Sequence, residues 1–176
     1  MLKKECPVRK EEAVEPHMVD DIKCIKIYVA RTDTGKNRYE EVQVQEIDKN
    51  IYKLLSAPIL ALNLARNDIF EIVEENEPVK VLRRGGNFNI QIYDAKFTLE
   101  DFLDFKEELK NYLDGSIDSA LGNNLAISIS SEQGIHKINN FFTNFEKISG
   151  NGWAFSNIYK NYNNFDDDTL LNWWVK

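Results

Sequence analysis

From Ile22 onward the chain alternates apolar and polar positions with a period of two: Ile25, Ile27 and Val29 are separated by charged or polar neighbours, and a turn-rich Thr32 to Asn37 leads into Tyr39 to Gln45. This pattern predicts a β-hairpin. Further strands are expected at about Asn50 to Ser56, at Ile69 to Glu74 after an Asn67-Asp68 turn, and at Pro78 to Arg84. Short strands joined by tight turns point to a small, partly open β-barrel over residues 22–84. Phe88, Ile90 and Ile92 then alternate with Asn89, Gln91 and Tyr93, the signature of a half-buried strand.

The period changes at Thr98. Leu99, Phe102, Leu103, Leu109 and Leu113 recur at helical spacing, with Thr98 placed to cap the helix, Asp101 to reciprocate, and Asp114-Gly115 to close it. Ile117, Ser119 and Leu121 alternate again, the Gly122-Asn123-Asn124 turn follows, and Leu125, Ile127 and Ile129 complete a second hairpin. A second helix from about Gly134 to Ser149 puts Ile135, Ile138, Phe142, Phe145 and Ile148 on one stripe and stops at Gly150, before a strand through Trp153 and Phe155. The order over residues 85–160 is β-α-β-β-α-β, so the whole reads as an α+β protein with a ferredoxin-like second unit. Residues 161–176 form a tail in which Asp166, Asp167 and Asp168 are placed to start a short helix carrying Leu170, Leu171, Trp173 and Trp174. Residues 1–21, MLKKECPVRKEEAVEPHMVDD, read as a flexible charged leader.

Composition narrows the classes. With 43% hydrophobic and 29% charged residues, ten Phe, seven Tyr and three Trp, the 176 residues are those of a folding chain. No apolar run reaches the roughly 20 residues of a membrane span, and the leader lacks a signal peptide's apolar stretch, so a cytoplasmic location is expected. Cys6 and Cys24 are expected as free thiols. The net charge of −7 is uneven: residues 1–93 carry 15 basic and 16 acidic groups, residues 94–176 carry 7 and 13. Such an acidic C-terminal half repels nucleic acid and anionic membranes and attracts a basic protein.

Candidate chemistry is sparse. Cys6, Cys24, His17 and His136 offer no plausible thiolate–imidazole pair, and the chain has neither CxxC nor HExxH spacing, so no catalytic residue, metal or cofactor is expected. Asp33-Thr34-Gly35 matches the short aspartic-protease signature but reads as a hairpin turn among Arg31, Lys36 and Arg38. Arg83-Arg84 before Gly85-Gly86 lacks a phosphate-binding frame and reads as solvated turn charge. Glu100, Asp104, Glu107 and Glu108 crowd the outward face of the first helix, either as a solvated face or as an acidic patch that docks a basic partner. Asp166, Asp167 and Asp168 could join that contact, with Trp174 as an anchor.

The early strands, the run YKLLSAPILALNLARNDIFEIV, the closing helix with its Gly, and GWAFSNIY together resemble a bacterial family known as domain of unknown function 4265, from Ile25 to about Tyr159. The likeness is one of pattern and carries no catalytic motif. It implies a small cytoplasmic protein, with relatives similar to immunity proteins encoded beside secreted bacterial toxins. The expected function is therefore an immunity protein that binds and neutralises a cognate toxin domain, a basic nuclease being the natural target. The alternative is a small-molecule or regulatory binding module without catalytic activity.

Overall fold

A computed structural model describes residues 22–164 and 166–175; the charged leader lies outside the described residues. Two antiparallel sheets and two helices make up the fold. The first sheet is a meander of β1 (Ile22–Arg31), β2 (Asn37–Asp48), β3 (Ile51–Leu54), β4 (Ile69–Glu71) and β5 (Lys80–Arg83), in that spatial order. β1 and β5 are its two edges, so the partly open barrel expected for this region is an open sheet. The β1–β2 turn is the Asp33-Thr34-Gly35 run: the Thr32 amide donates to the Lys36 carbonyl (2.8 Å) and Gly35 takes φ +79°.

The second sheet holds β6 (Asn87–Ile92), β7 (Ser116–Leu121), β8 (Asn124–Ser130) and β9 (Trp153–Phe155), ordered β7-β8-β6-β9. Helices α1 (Leu99–Leu113) and α2 (Ile135–Ser149) follow β6 and β8. The sequence signals at α1 act as anticipated: Thr98 and Asp101 form a reciprocal capping box, and Asp114 ends the helix in the left-handed conformation. Both helices cover one face of this sheet, where Phe88, Ile90 and Ile92 meet Phe105, Leu109, Leu113, Ile138 and Phe142 in the main core.

The apolar stripes are narrower than the sequence suggests. Leu99 is 77% exposed, Leu103 54% and Ile148 79%, while Phe105 joins Leu109 and Leu113 as the buried line of α1. Among the described residues Leu99, Leu103 and Ile148, three members of the apolar stripes, stay open to solvent.

The strand β6 corrects the half-buried reading, because all six of its residues are buried. Its polar face is covered by residues 55–68, the segment joining β3 to β4. That segment turns its apolar residues both ways. Ala61 and Leu64 enter the core of the first sheet beside Ile27, Val44 and Phe70, whereas Ala57 and Ile59 pack on Ala126 of the second. A connection inserted between two sheets carries backbone polar groups into the interior, and each needs a partner. The polar side chains of β6 supply them: Asn89 donates to the carbonyls of Pro58 and Leu64, both at 3.0 Å, and Gln91 donates to Pro58 at 3.2 Å.

Three carboxylates complete the seam. Glu40 on β2 accepts from the amides of Ile59 (2.7 Å), Leu60 (3.0 Å) and Ala61 (2.8 Å). Asp118 sits at a bulge in β7 that turns both it and Ser119 toward the segment; it accepts from the Ala57 amide (2.9 Å) and Arg66 (2.9 Å). Asp68 is wholly buried and accepts from the amides of Ala65 (3.1 Å) and Gly85 (2.7 Å) and from Arg84 (3.0 Å). Arg84 also binds the Asn63 carbonyl (2.8 Å) and its side chain, which corrects the reading of this residue as solvated turn charge. Gly85 has to be glycine here: a Cβ would lie 2.2 Å from the Asn67 backbone.

The tail also departs from expectation, since residues 166–175 contain no helix. Tyr159 instead bridges to Leu170, and Trp173 donates to the Asn157 carbonyl at 2.8 Å while stacking on Phe88. Asp167 closes a turn, accepting from Asn161 and from the Thr169 amide. The physical reason is local: two aromatic rings find a preformed apolar floor at Phe88, and docking both there fixes the chain in turns instead of a free-standing helix of a few residues.

A candidate acidic groove between the helices

The helices α1 and α2 diverge enough to leave a groove of about 680 Å³ that continues into a second hollow of about 400 Å³. One wall is α1, whose residues Asp104, Glu107 and Glu108 recur three and four apart and so share a face. The other wall is α2, which contributes Asn140, Phe141 and Asn144. The floor is aromatic. Tyr112 stacks on Phe141 with centroids 5.7 Å apart, and Phe105 lies 4.6 Å from Phe145.

Four carboxylates line the continuous groove, Asp101, Asp104, Glu107 and Glu108, against one ammonium, Lys96. Asp101 is committed to Thr98, whose hydroxyl and amide hold its carboxyl below the usual carboxylate range. Asp104, Glu107 and Glu108 make no ion pair or hydrogen bond among the described residues. Lys137 stands 4.8 Å over the Tyr112 ring and donates to Gln133. An apolar, aromatic floor rimmed by unmatched negative charge is suited to a partner that brings an apolar anchor and basic side chains together.

Of the residues singled out from sequence, Asp104, Glu107 and Glu108 converge on this groove. Glu100 is exposed in the first turn of α1 and is not among the groove-lining residues. The tail residues lie elsewhere. Asp167 and Asp168 border a different cleft, on the sheet face opposite the helices where Gln91 emerges, and Asp166 borders neither. Trp174 is half-buried with its ring 5.5 Å from Phe88 and so anchors the tail. Sequence reading missed Tyr112 and Phe141. Their apolar character was visible, but only the spacing of the two helices turns them into a floor.

His136 is exposed on α2 and Cys24 is exposed on β1, far apart in the fold as in the sequence. Among the described residues no group of three or more His, Cys, Asp or Glu side chains could hold a metal ion, and no helix is long and apolar enough to cross a membrane.

Comparison with known proteins agrees with the fold and names no activity. No curated protein matches the chain. A crystal structure of a hypothetical protein from Neisseria gonorrhoeae is similar in fold, with a TM-score of 0.58 and 17% identity over 76% of this chain and 94% of that one. The family model described as "Domain of unknown function (DUF4265)" matches residues 40–153. This span starts at Glu40, includes the whole inserted segment 55–68 with Asp68, and ends in β9. Covering well over half of the sequence, it shows that the chain belongs to the DUF4265 family.

Proposed function

We propose that this protein is an immunity protein, a cytoplasmic binder that occupies a cognate bacterial toxin domain, with a basic nuclease as the target and the α1–α2 groove as the contact surface. The observation that supports it most is the set of three neighbouring carboxylates, Asp104, Glu107 and Glu108, that have no partner among the described residues and stand over a stacked aromatic floor. Unmatched charge at a groove speeds encounter with an opposite charge, and the aromatic floor supplies the desolvated contact that slows dissociation. The β-α-β-β-α-β order with sheet order β7-β8-β6-β9 also supports reading the second unit as ferredoxin-like. That architecture hosts many binding roles, so the function rests on the groove.

The test is co-expression with the C-terminal domain of whichever secreted-toxin-like protein is encoded beside it. Nanomolar co-purification that weakens as salt rises is expected. Reversing three charges together, Asp104→Lys, Glu107→Lys and Glu108→Lys, should lower affinity by about 100-fold or more, whereas Glu100→Lys, outside the groove, should change it by less than about threefold. Failure to capture the neighbour, or unchanged affinity in the triple variant, would overturn the assignment.

A further inference from the structure

We propose that the cleft between the C-terminal tail, the inserted segment and the second sheet is a binding site for a small organic cation, an ammonium or amidinium group carried on a flat apolar body. The cleft measures about 490 Å³, within the range of small-molecule sites, and it is more enclosed than the groove between the helices. It shares no lining residue with that groove, so this inference does not depend on the toxin-binding reading.

Its walls fix the ligand's chemistry. Leu60 and Leu62 of the inserted segment and Phe155 of β9 provide apolar surface. Tyr93, Tyr159 and Tyr162 provide rings whose faces attract cations. Burial raises the phenol pKa values of Tyr93 and Tyr162, so both stay neutral. At the mouth stand Asp167 and Asp168. Hydrogen bonds from Thr169 and Asn161 hold Asp167 down to a pKa of about 2, so it is charged throughout the physiological range.

Among the described residues no lysine or arginine lines the cleft to neutralise these groups. The cation behind Tyr162, Arg84, is committed to Asp68 and Asn63. Lys160 is near Asp167 in the tail but is exposed and does not line the cleft.

Ser156 completes the wall of the cleft. It is only 4% exposed, and its hydroxyl has no hydrogen-bond partner among the described residues. Its backbone is already satisfied, the amide donating to Asn89 at 2.9 Å and the carbonyl accepting from Asn63 at 2.7 Å.

The experiment is an amide-resolved NMR titration of the full chain at neutral pH with benzylammonium and benzamidinium, using benzyl alcohol and benzoate as neutral and anionic counterparts. Nα-acetyl-lysinamide, a lysine side chain without the ring, distinguishes a free aryl cation from the side chain of a polypeptide. The expected result is saturable shifts clustered at Ala154, Ser156 and Tyr162 for the two aryl cations, with Kd below about 5 mM, and at least fivefold weaker binding for the alcohol, for benzoate and for the lysine analogue. Asp168→Asn, at an exposed side chain with no hydrogen bond among the described residues, should weaken benzylammonium at least fivefold without altering the rest of the spectrum. Absence of saturable shifts in the cleft, equal binding of benzoate, or unchanged affinity in Asp168→Asn would overturn the proposal. Benzylammonium binding that survives the triple charge reversal in the groove would show the cleft acting alone, whatever the outcome with a toxin; binding lost with that reversal would place the cation in the groove and overturn the site.

Discussion

Glu40, Asp68 and Asp118 sit where the inserted segment meets the two sheets, and each is matched by backbone amides, with arginine added at the latter two. Asp104, Glu107 and Glu108 sit in the groove between the helices, with no such partner among the described residues. The same functional group therefore has opposite roles in two regions. Where the carboxylate is desolvated, the fold must supply donors or lose several kcal/mol, so matched acids report structure. Where it remains solvated, nothing in folding requires it to be there, and a cluster of such groups lowers stability slightly through repulsion. A concentration of acid that folding does not need is then a property to be read against binding.

Substitutions should separate the two regions in order of size. Asp68→Ala strands Arg84 and two amides in the interior and should lower the unfolding free energy by about 3–5 kcal/mol, measured by urea denaturation; a loss under about 1 kcal/mol would remove the seam from its structural role. Glu40→Ala leaves the amides of Ile59, Leu60 and Ala61 without their acceptor. Its effect should be about 2–3 kcal/mol, with Glu40→Gln intermediate because one side-chain oxygen is kept. The triple reversal at Asp104, Glu107 and Glu108 should move stability by less than about 1 kcal/mol in either direction; a large loss in the same denaturation experiment would mean these acids hold the helices together.

The smallest effect concerns pH. Asp167 has its folded pKa lowered from 3.8 to about 2 by the hydrogen bonds of Thr169 and Asn161, so it stabilises the fold above 3.8 and loses that contribution as pH falls toward 2. Asp68 has the opposite sign. Burial raises its pKa against the Gly85 amide and Arg84, so the native state takes up its proton before the unfolded chain does, and this group alone favours the fold as pH drops. Thermal melts between pH 5 and pH 2 should therefore show a shallower acid decline in Asp167→Asn than in the parent protein; identical slopes would show that the tail turn does not contribute.

Local signals carried much of the architecture. The capping box of Thr98 and Asp101, the Gly122-Asn123 hairpin and the left-handed stop at Gly150 each involve residues within a few positions of one another, and each occurs where the pattern placed it. Three of the four helix carboxylates read from the sequence line the groove for the same reason, since Asp104, Glu107 and Glu108 fall on one face of α1 by helical period alone. The tail failed because capping potential at Asp166 to Asp168 says nothing about Phe88, some 80 positions earlier, on which the tryptophans dock.

The amino-acid sequence by itself determined the element order, the turns, the acidic bias of the C-terminal half and the family membership, because all of these depend on neighbours along the chain. Only the tertiary structure decided that β6 is buried on both faces, that Arg84 answers Asp68, and that the aromatic residues of α1 and α2 form a floor beneath unmatched charge. Each of those depends on which surfaces meet: the side chain at a given position is the same, but whether it is desolvated, matched or left open is set by the segment that folds over it.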